Sequence, residues 1–180
     1  MVTLSIRKVT TSEIPDLHQI LVKCGLDLQR RFNLSYWAPP YPLERMIRDA
    51  NNMDVYAVKL NAELVGTFTI RITIPPGYQK YGDITWQNPQ LSAFYIHRLA
   101  VLPFYQGKGI GTWCLEEIEK LAVTHNYFAV RLDAVKTNRK LLKFYKKSGY
   151  KQVGELIFQP QDKYDDAFVF EKLLRFIPQA

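Results

Sequence analysis

The chain has 180 residues, 47% apolar and 23% charged, a balance that fits one domain with a sizeable core and excludes general disorder. No stretch approaches the roughly 20 consecutive apolar residues of a membrane helix, so no membrane partner is expected. The two cysteines, Cys24 and Cys114, lie in helical patterns without metal-ligand spacing, and are expected as buried thiols with no metal site.

Leu4 to Val9 alternates polar and apolar residues as a half-buried strand does. A secretory signal would be continuously apolar there, so a cytoplasmic protein is expected. Thr11 and Ser12 form a capping pair, with Pro15 in the first turn of a helix running to about Arg31. Ile14, Leu17, His18, Leu21, Cys24 and Leu28 supply its apolar spacing. Asn33 to Pro42 is aromatic and proline-rich, hence a loop, and Leu43 to Asn51 predicts a short second helix. Asp54–Leu60 and Leu64–Ile74 predict strands joined by a hairpin at Asn61, Ala62 and Glu63. Pro75 to Gln90 is a long connection with Tyr78, Tyr81 and Trp86, a candidate substrate lid.

Leu91 to Leu102 predicts a strand ended by Pro103, and Gly109 to His125 a helix with Ile110, Cys114, Ile118 and Leu121 as its apolar stripe. Phe128 to Val135 predicts a strand, and Thr137 and Asn138 open a helix to about Ser148, closed by Gly149. Tyr150–Phe158 and Ala167–Leu173 predict two final antiparallel strands. With no repeat or linker, residues 1–180 are expected as a single α+β domain.

Charge is concentrated. Residues 98–151 hold eleven Lys/Arg against four Asp/Glu, while the remainder holds thirteen of each. The whole net charge of +7 therefore sits in one segment, which points to an anionic partner such as a phosphorylated cofactor or nucleic acid.

Between the strand and helix of that segment lie Gln106, Gly107, Lys108, Gly109, Ile110, Gly111 and Thr112. Three glycines at alternate positions let the backbone approach a ligand closely. The unpaired N–H groups and the dipole at a helix start favour an anion, and Lys108 adds positive charge. The spacing lacks the third glycine of a dinucleotide-binding turn, and no Walker-type loop occurs.

Leu99, Ala100 and Val101, then Pro103, Gln106, Gly109 and Gly111, resemble motif A of the GNAT superfamily of N-acetyltransferases. About thirty residues on, Asn138, Phe144, Tyr145, Gly149 and Tyr150 resemble its motif B. The resemblance runs along nearly all of the chain. It implies a mostly antiparallel sheet, splayed between the motif A strand and the strand after it, with about four flanking helices. It implies acetyl-coenzyme A as co-substrate and direct transfer to a primary amine through a tetrahedral intermediate. The 106–112 turn would take the pyrophosphate, and backbone groups of Leu99, Ala100 and Val101 would pair with the pantetheine arm, an N–H there polarising the thioester carbonyl.

Tyr145 is the expected proton donor to the leaving thiolate, since a phenol with a pKa near 10 stays protonated at neutral pH. Its place beside Leu141 and Leu142 also allows a core role. Asn138 is expected to contact the cofactor, cap its helix, or both. His97 stands where some family members carry a glutamate base, and histidine titrates near neutrality. Tyr95 and Glu63 are weaker alternatives. Tyr36, Trp37, Tyr41, Tyr78 and Trp86 are candidate walls for a small-molecule or peptide amine, and a homodimer is left open. Two competing readings stand: a nucleic-acid-binding module using the basic segment, which the absence of any recognition signature disfavours, and a GNAT fold that binds an acyl-coenzyme A without turnover.

Overall fold

The computed structural model describes residues 3–37, 41–159 and 164–175. The described residues divide into two compact units, those within 1–70 and 97–114, and those within 71–96 and 115–180.

In the first unit, β1 (Leu4–Lys8) lies antiparallel to β2 (Asp54–Leu60), which turns back into β3 (Glu63–Arg71). The turn is two residues long, and Asn61 takes the left-handed conformation it requires, with φ 55°. β3 neighbours β5 (Ala93–Val101), whose second half belongs to this unit. β3 ends at Arg71, earlier than expected, because Ile72 and Ile74 are exposed and have no core to face.

α1 (Ile14–Phe32) buries Ile14, Leu17, Ile20, Leu21 and Cys24, spaced three or four apart, against Met46 of α2 (Leu43–Asp49), Val55, Ala57 and Ala100. Its entry is fixed by Thr10 and Glu13 instead of the expected Thr11 and Ser12. The Thr10 N–H donates to the Glu13 carboxylate at 3.0 Å, and Arg7 pairs with the same carboxylate. Gly25 sits mid-helix because a Cβ there would meet the Trp37 carbonyl oxygen at 2.1 Å.

In the second unit the strand order is β5, β6 (Ala129–Val135), β8 (Ala167–Leu173), β7 (Lys151–Leu156), β4 (Gly82–Ile84). The β5–β6 pair is parallel; β6–β8, β8–β7 and β7–β4 are antiparallel. α3 (Pro76–Tyr81) and β4 occupy the segment expected as one long loop. A three-residue edge strand carries too little alternation to be legible, and it forms because β7 offers it a partner. Among the described residues there are five α-helices where about four were expected, α3 being the addition. α4 (Ile110–Thr124) starts in the first unit and continues in the second, with Ile110, Cys114, Ile118 and Ala122 buried. α5 (Arg139–Lys147) precedes β7, and Gly149 beyond it has φ 87°.

Arg131 of β6 and Glu171 of β8 are register partners and are both buried. Arg131 Nε donates to Glu171 Oε1 at 2.9 Å, and its other nitrogens donate to the Tyr95 hydroxyl and the Asn88 carbonyl. The Gln87 N–H satisfies the second Glu171 oxygen, and Trp86 stacks on the guanidinium at 4.0 Å. Glu171→Ala would leave Arg131 charged, buried and without its counter-ion, at a cost of about 3–5 kcal/mol. Urea denaturation would show this as a lower midpoint, and the double variant Arg131→Met/Glu171→Leu should recover much of the loss.

Candidate active site

The glycine turn lies wholly in the first unit. The Leu102 N–H donates to Val65 O at 2.8 Å, anchoring the end of β5, and Pro103–Tyr105 makes one 3₁₀ turn. Gly107 and Gly109 follow with φ 75° and 83°, values that favour glycine. A Cβ built on either meets nothing within 4 Å among the described residues apart from its chain neighbours, so the space over them is open there. Gly107, Lys108 and Gly109 are exposed, and α4 starts at Ile110. The first N–H groups of α4 have no carbonyl one turn back, and with its dipole they present positive charge at the turn. This cradle fits a pyrophosphate. The Lys108 ammonium rests 4.1 Å from the Phe104 ring centre.

Gln106 braces the turn. Its Nε2 donates to Val101 O at 2.9 Å and its Oε1 accepts from Arg31 Nη2 at 3.0 Å. Arg31 is held by Asp27, which is buried in α1. Cys24 donates its thiol to the same Val101 carbonyl, and burial pushes that thiol's pKa up to about 12. The end of α1 is thus tied to the root of the turn. Tyr105 bonds to Glu63, the hairpin residue weighed above as a base.

The parallel register of β5 with β6 runs from Ala93↔Ala129 to Ile96↔Leu132. Two residues later Arg98 has φ 54°, left-handed and strained for a side chain of that kind. Its guanidinium pairs with Asp49 at 2.8 Å and stacks on Tyr41, whose hydroxyl donates to the same Asp49. Unbroken alternation along β5 would put His97, Leu99 and Val101 on one face, and the left-handed Arg98 interrupts it. His97 and Leu99 are half-buried, Ala100 and Val101 buried. Tyr36 and Trp37 meet edge to face at 5.8 Å, and Trp37 packs on the α1 core. Residues 38–40 of the expected acceptor loop lie outside the described residues.

In the second unit, Asn138 caps α5, its Oδ1 accepting the Leu141 N–H at 3.1 Å. Tyr145 is buried among the rings of Phe144, Tyr150 and Phe170. Tyr78 is a core residue here and no exposed wall: it is 5% exposed and its hydroxyl donates to Asp133 Oδ1 at 2.8 Å. Burial raises the Asp133 carboxyl above the ordinary carboxylate range, partly offset by the Tyr78 hydrogen bond. Burial also lifts Tyr78 well above the usual phenol value, with Asp133, then Tyr95, then Tyr145 adding to it. Sequence reasoning missed Asp133, although a lone acid inside the apolar run Ala129–Val135 was its signal.

Among the described residues no cluster of His, Cys, Asp or Glu could hold a metal ion, and no helix is long and apolar enough to cross a membrane.

A search of curated proteins by sequence finds no match. Solved structures share the fold. A GNAT-family acetyltransferase from Streptococcus agalactiae superposes with a TM-score of 0.76 at 16% identity, covering 96% of both chains. The ribosomal-protein-S18-alanine N-acetyltransferase of Escherichia coli gives 0.67 at 13% identity, over 98% of this chain and 97% of that one. NAA60 of Arabidopsis thaliana, in complex with a bisubstrate analogue, gives 0.67 at 18% identity over 97% and 100%. The profile of the acetyltransferase (GNAT) family matches residues 16–150, a span that includes the glycine turn, Asn138 and Tyr145, and the chain belongs to that family.

Proposed function

We propose that the chain moves an acetyl group from acetyl-coenzyme A to a primary amine by direct attack of the amine on the thioester. The observation that carries this reading is the turn at Gln106–Gly111: two left-handed glycines under open space at the start of α4. Support also comes from NAA60, which was solved with acetyl-coenzyme A, and from the Escherichia coli neighbour, named for acetylating an alanine of a ribosomal protein.

Acetyl-coenzyme A supplies the acetyl group as an activated thioester. In the first unit the backbone N–H groups from Gly107 to Thr112 and the Lys108 ammonium bind its pyrophosphate. The backbone of Leu99–Val101 orients the pantetheine arm, a role supported by the end of the β5–β6 pairing at Ile96. In the second unit Tyr145 holds the proton for the leaving thiolate, and Asn138 sets the start of its helix. Asp133 accepts the proton of the incoming ammonium. A carboxylate with a raised pKa is a stronger base than a solvated one, and the Tyr78 hydroxyl fixes the orientation of this one; His97 is the alternative base. Tyr36 and Trp37 remain the candidate acceptor walls, whereas Tyr78 and Trp86 act through Asp133 and Arg131.

The test is a thermal-shift titration with acetyl-coenzyme A, followed by acetyl transfer to pooled amines and N-terminal peptides. Ligand at about 100 times Kd should stabilise by about 2.7 kcal/mol. No shift would refute the cofactor assignment. A shift without transfer to any amine would establish the non-catalytic reading instead.

A further inference from the structure

Residues 134–154 contain seven Lys/Arg and no Asp or Glu. Lys136 reaches out of this stretch to Glu155 and Asp166. Arg139, Lys143, Lys146 and Lys147 have no acidic partner among the described residues, whereas Lys120, Arg131 and Lys172 of the same unit are each paired. With Leu142, these four line a groove of about 430 Å³ along α5. They follow helical spacing, and at about 100° per residue their stripe is centred roughly 145° round the helix from Tyr145. The face that buries Tyr145 and Asn138 is therefore not the face that carries these cations.

The fold gains nothing from the stripe, since like charges one turn apart on a helix repel by a few tenths of a kcal/mol per pair. An external anion would remove that repulsion. A protein partner would want an apolar anchor at the centre of its contact, and α5 exposes no large hydrophobic side chain. A membrane surface would want an apolar helix face to insert, and that face of α5 is committed to the Tyr150 and Phe170 core. What is left is a row of point charges in a shallow groove, which suits a regularly charged polymer.

We propose that the outer face of α5 binds the phosphodiester backbone of a nucleic-acid strand, without base readout, through Arg139, Lys143, Lys146 and Lys147. This site is separate from the acetyl-transfer chemistry and does not depend on it.

The experiment is fluorescence anisotropy of the full chain with labelled single-stranded RNA and DNA of about 15 nucleotides, over roughly 50 to 200 mM salt. Four phosphate contacts predict a slope of log K against log salt near −2.8 for a single strand, about −0.7 per contact. Lys143→Gln/Lys147→Gln should bring it to about −1.4, with acetyl-coenzyme A binding and melting temperature unchanged because both side chains are exposed. Absence of binding, or an unchanged slope in the variant, would overturn the proposal. So would displacement of the strand by saturating coenzyme A, which would make the stripe part of the cofactor's phosphate site. Stronger binding of a poly-glutamate peptide or of anionic vesicles would overturn it in favour of a protein or lipid partner.

Discussion

Gly109→Glu should abolish acetyl-coenzyme A binding in a chain that still folds. Gly109 has φ 83°, where a side chain costs about 1–2 kcal/mol of local strain. That is a fraction of the stability of an ordinary domain. No clash adds to it, because a Cβ there meets nothing within 4 Å among the described residues beyond its chain neighbours. The same open space is where the N–H groups of the α4 start would meet phosphate. A carboxylate placed there satisfies those donors and repels the pyrophosphate; two unit charges about 4 Å apart interact by about 4 kcal/mol near a protein surface. Affinity should fall at least about 100-fold, equivalent to about 2.7 kcal/mol. Calorimetric titration would measure it, with Gly109→Ala as the companion that carries strain without charge. A folded Gly109→Glu chain with unchanged affinity would remove the turn from the cofactor site.

Tyr145→Phe should lower kcat by about 10²–10⁴-fold with KM little changed, the range for losing a positioned proton donor. The ring contacts with Phe144, Tyr150 and Phe170 survive the loss of the hydroxyl, so the variant separates chemistry from packing. A fall in melting temperature with kcat retained would return Tyr145 to a core role. The acceptor is read from pH. Asp133 must be deprotonated to take a proton, and burial raises its pKa, so activity should climb with pH through a value above the ordinary carboxylate range. Asp133→Asn should abolish that limb, whereas loss of the limb in His97→Gln alone would make His97 the base. Stability has the opposite sign. The folded state holds the Asp133 proton more tightly than the unfolded state, so stability falls as pH rises from the ordinary carboxylate pKa through the raised one. In Asp133→Asn that dependence should flatten.

Much of the donor side was legible because its signals are local. The α1 stripe, the Asn61 hairpin, the glycine turn, the Asn138 cap and the Gly149 stop each depend on residues a few positions apart, whose backbone preferences and hydrogen bonds are written in consecutive side chains. What the sequence by itself determined is therefore the glycine turn, the helix that carries Tyr145, and the crowding of positive charge in residues 98–151. The tertiary structure alone decided the rest. α3 and β4 exist because β7 provides a paired edge for a three-residue strand. Arg98 turns left-handed between one half of β5 and the other, held by Asp49 from α2, and the alternation that would have aimed His97 is lost with it. Asp133 becomes a base candidate because Tyr78, 55 residues away, closes over it, and Glu171 finds Arg131 through the β6–β8 register, 40 residues apart. Desolvation and long-range pairing set those pKa values and partners, and neither is a property of any short stretch of chain.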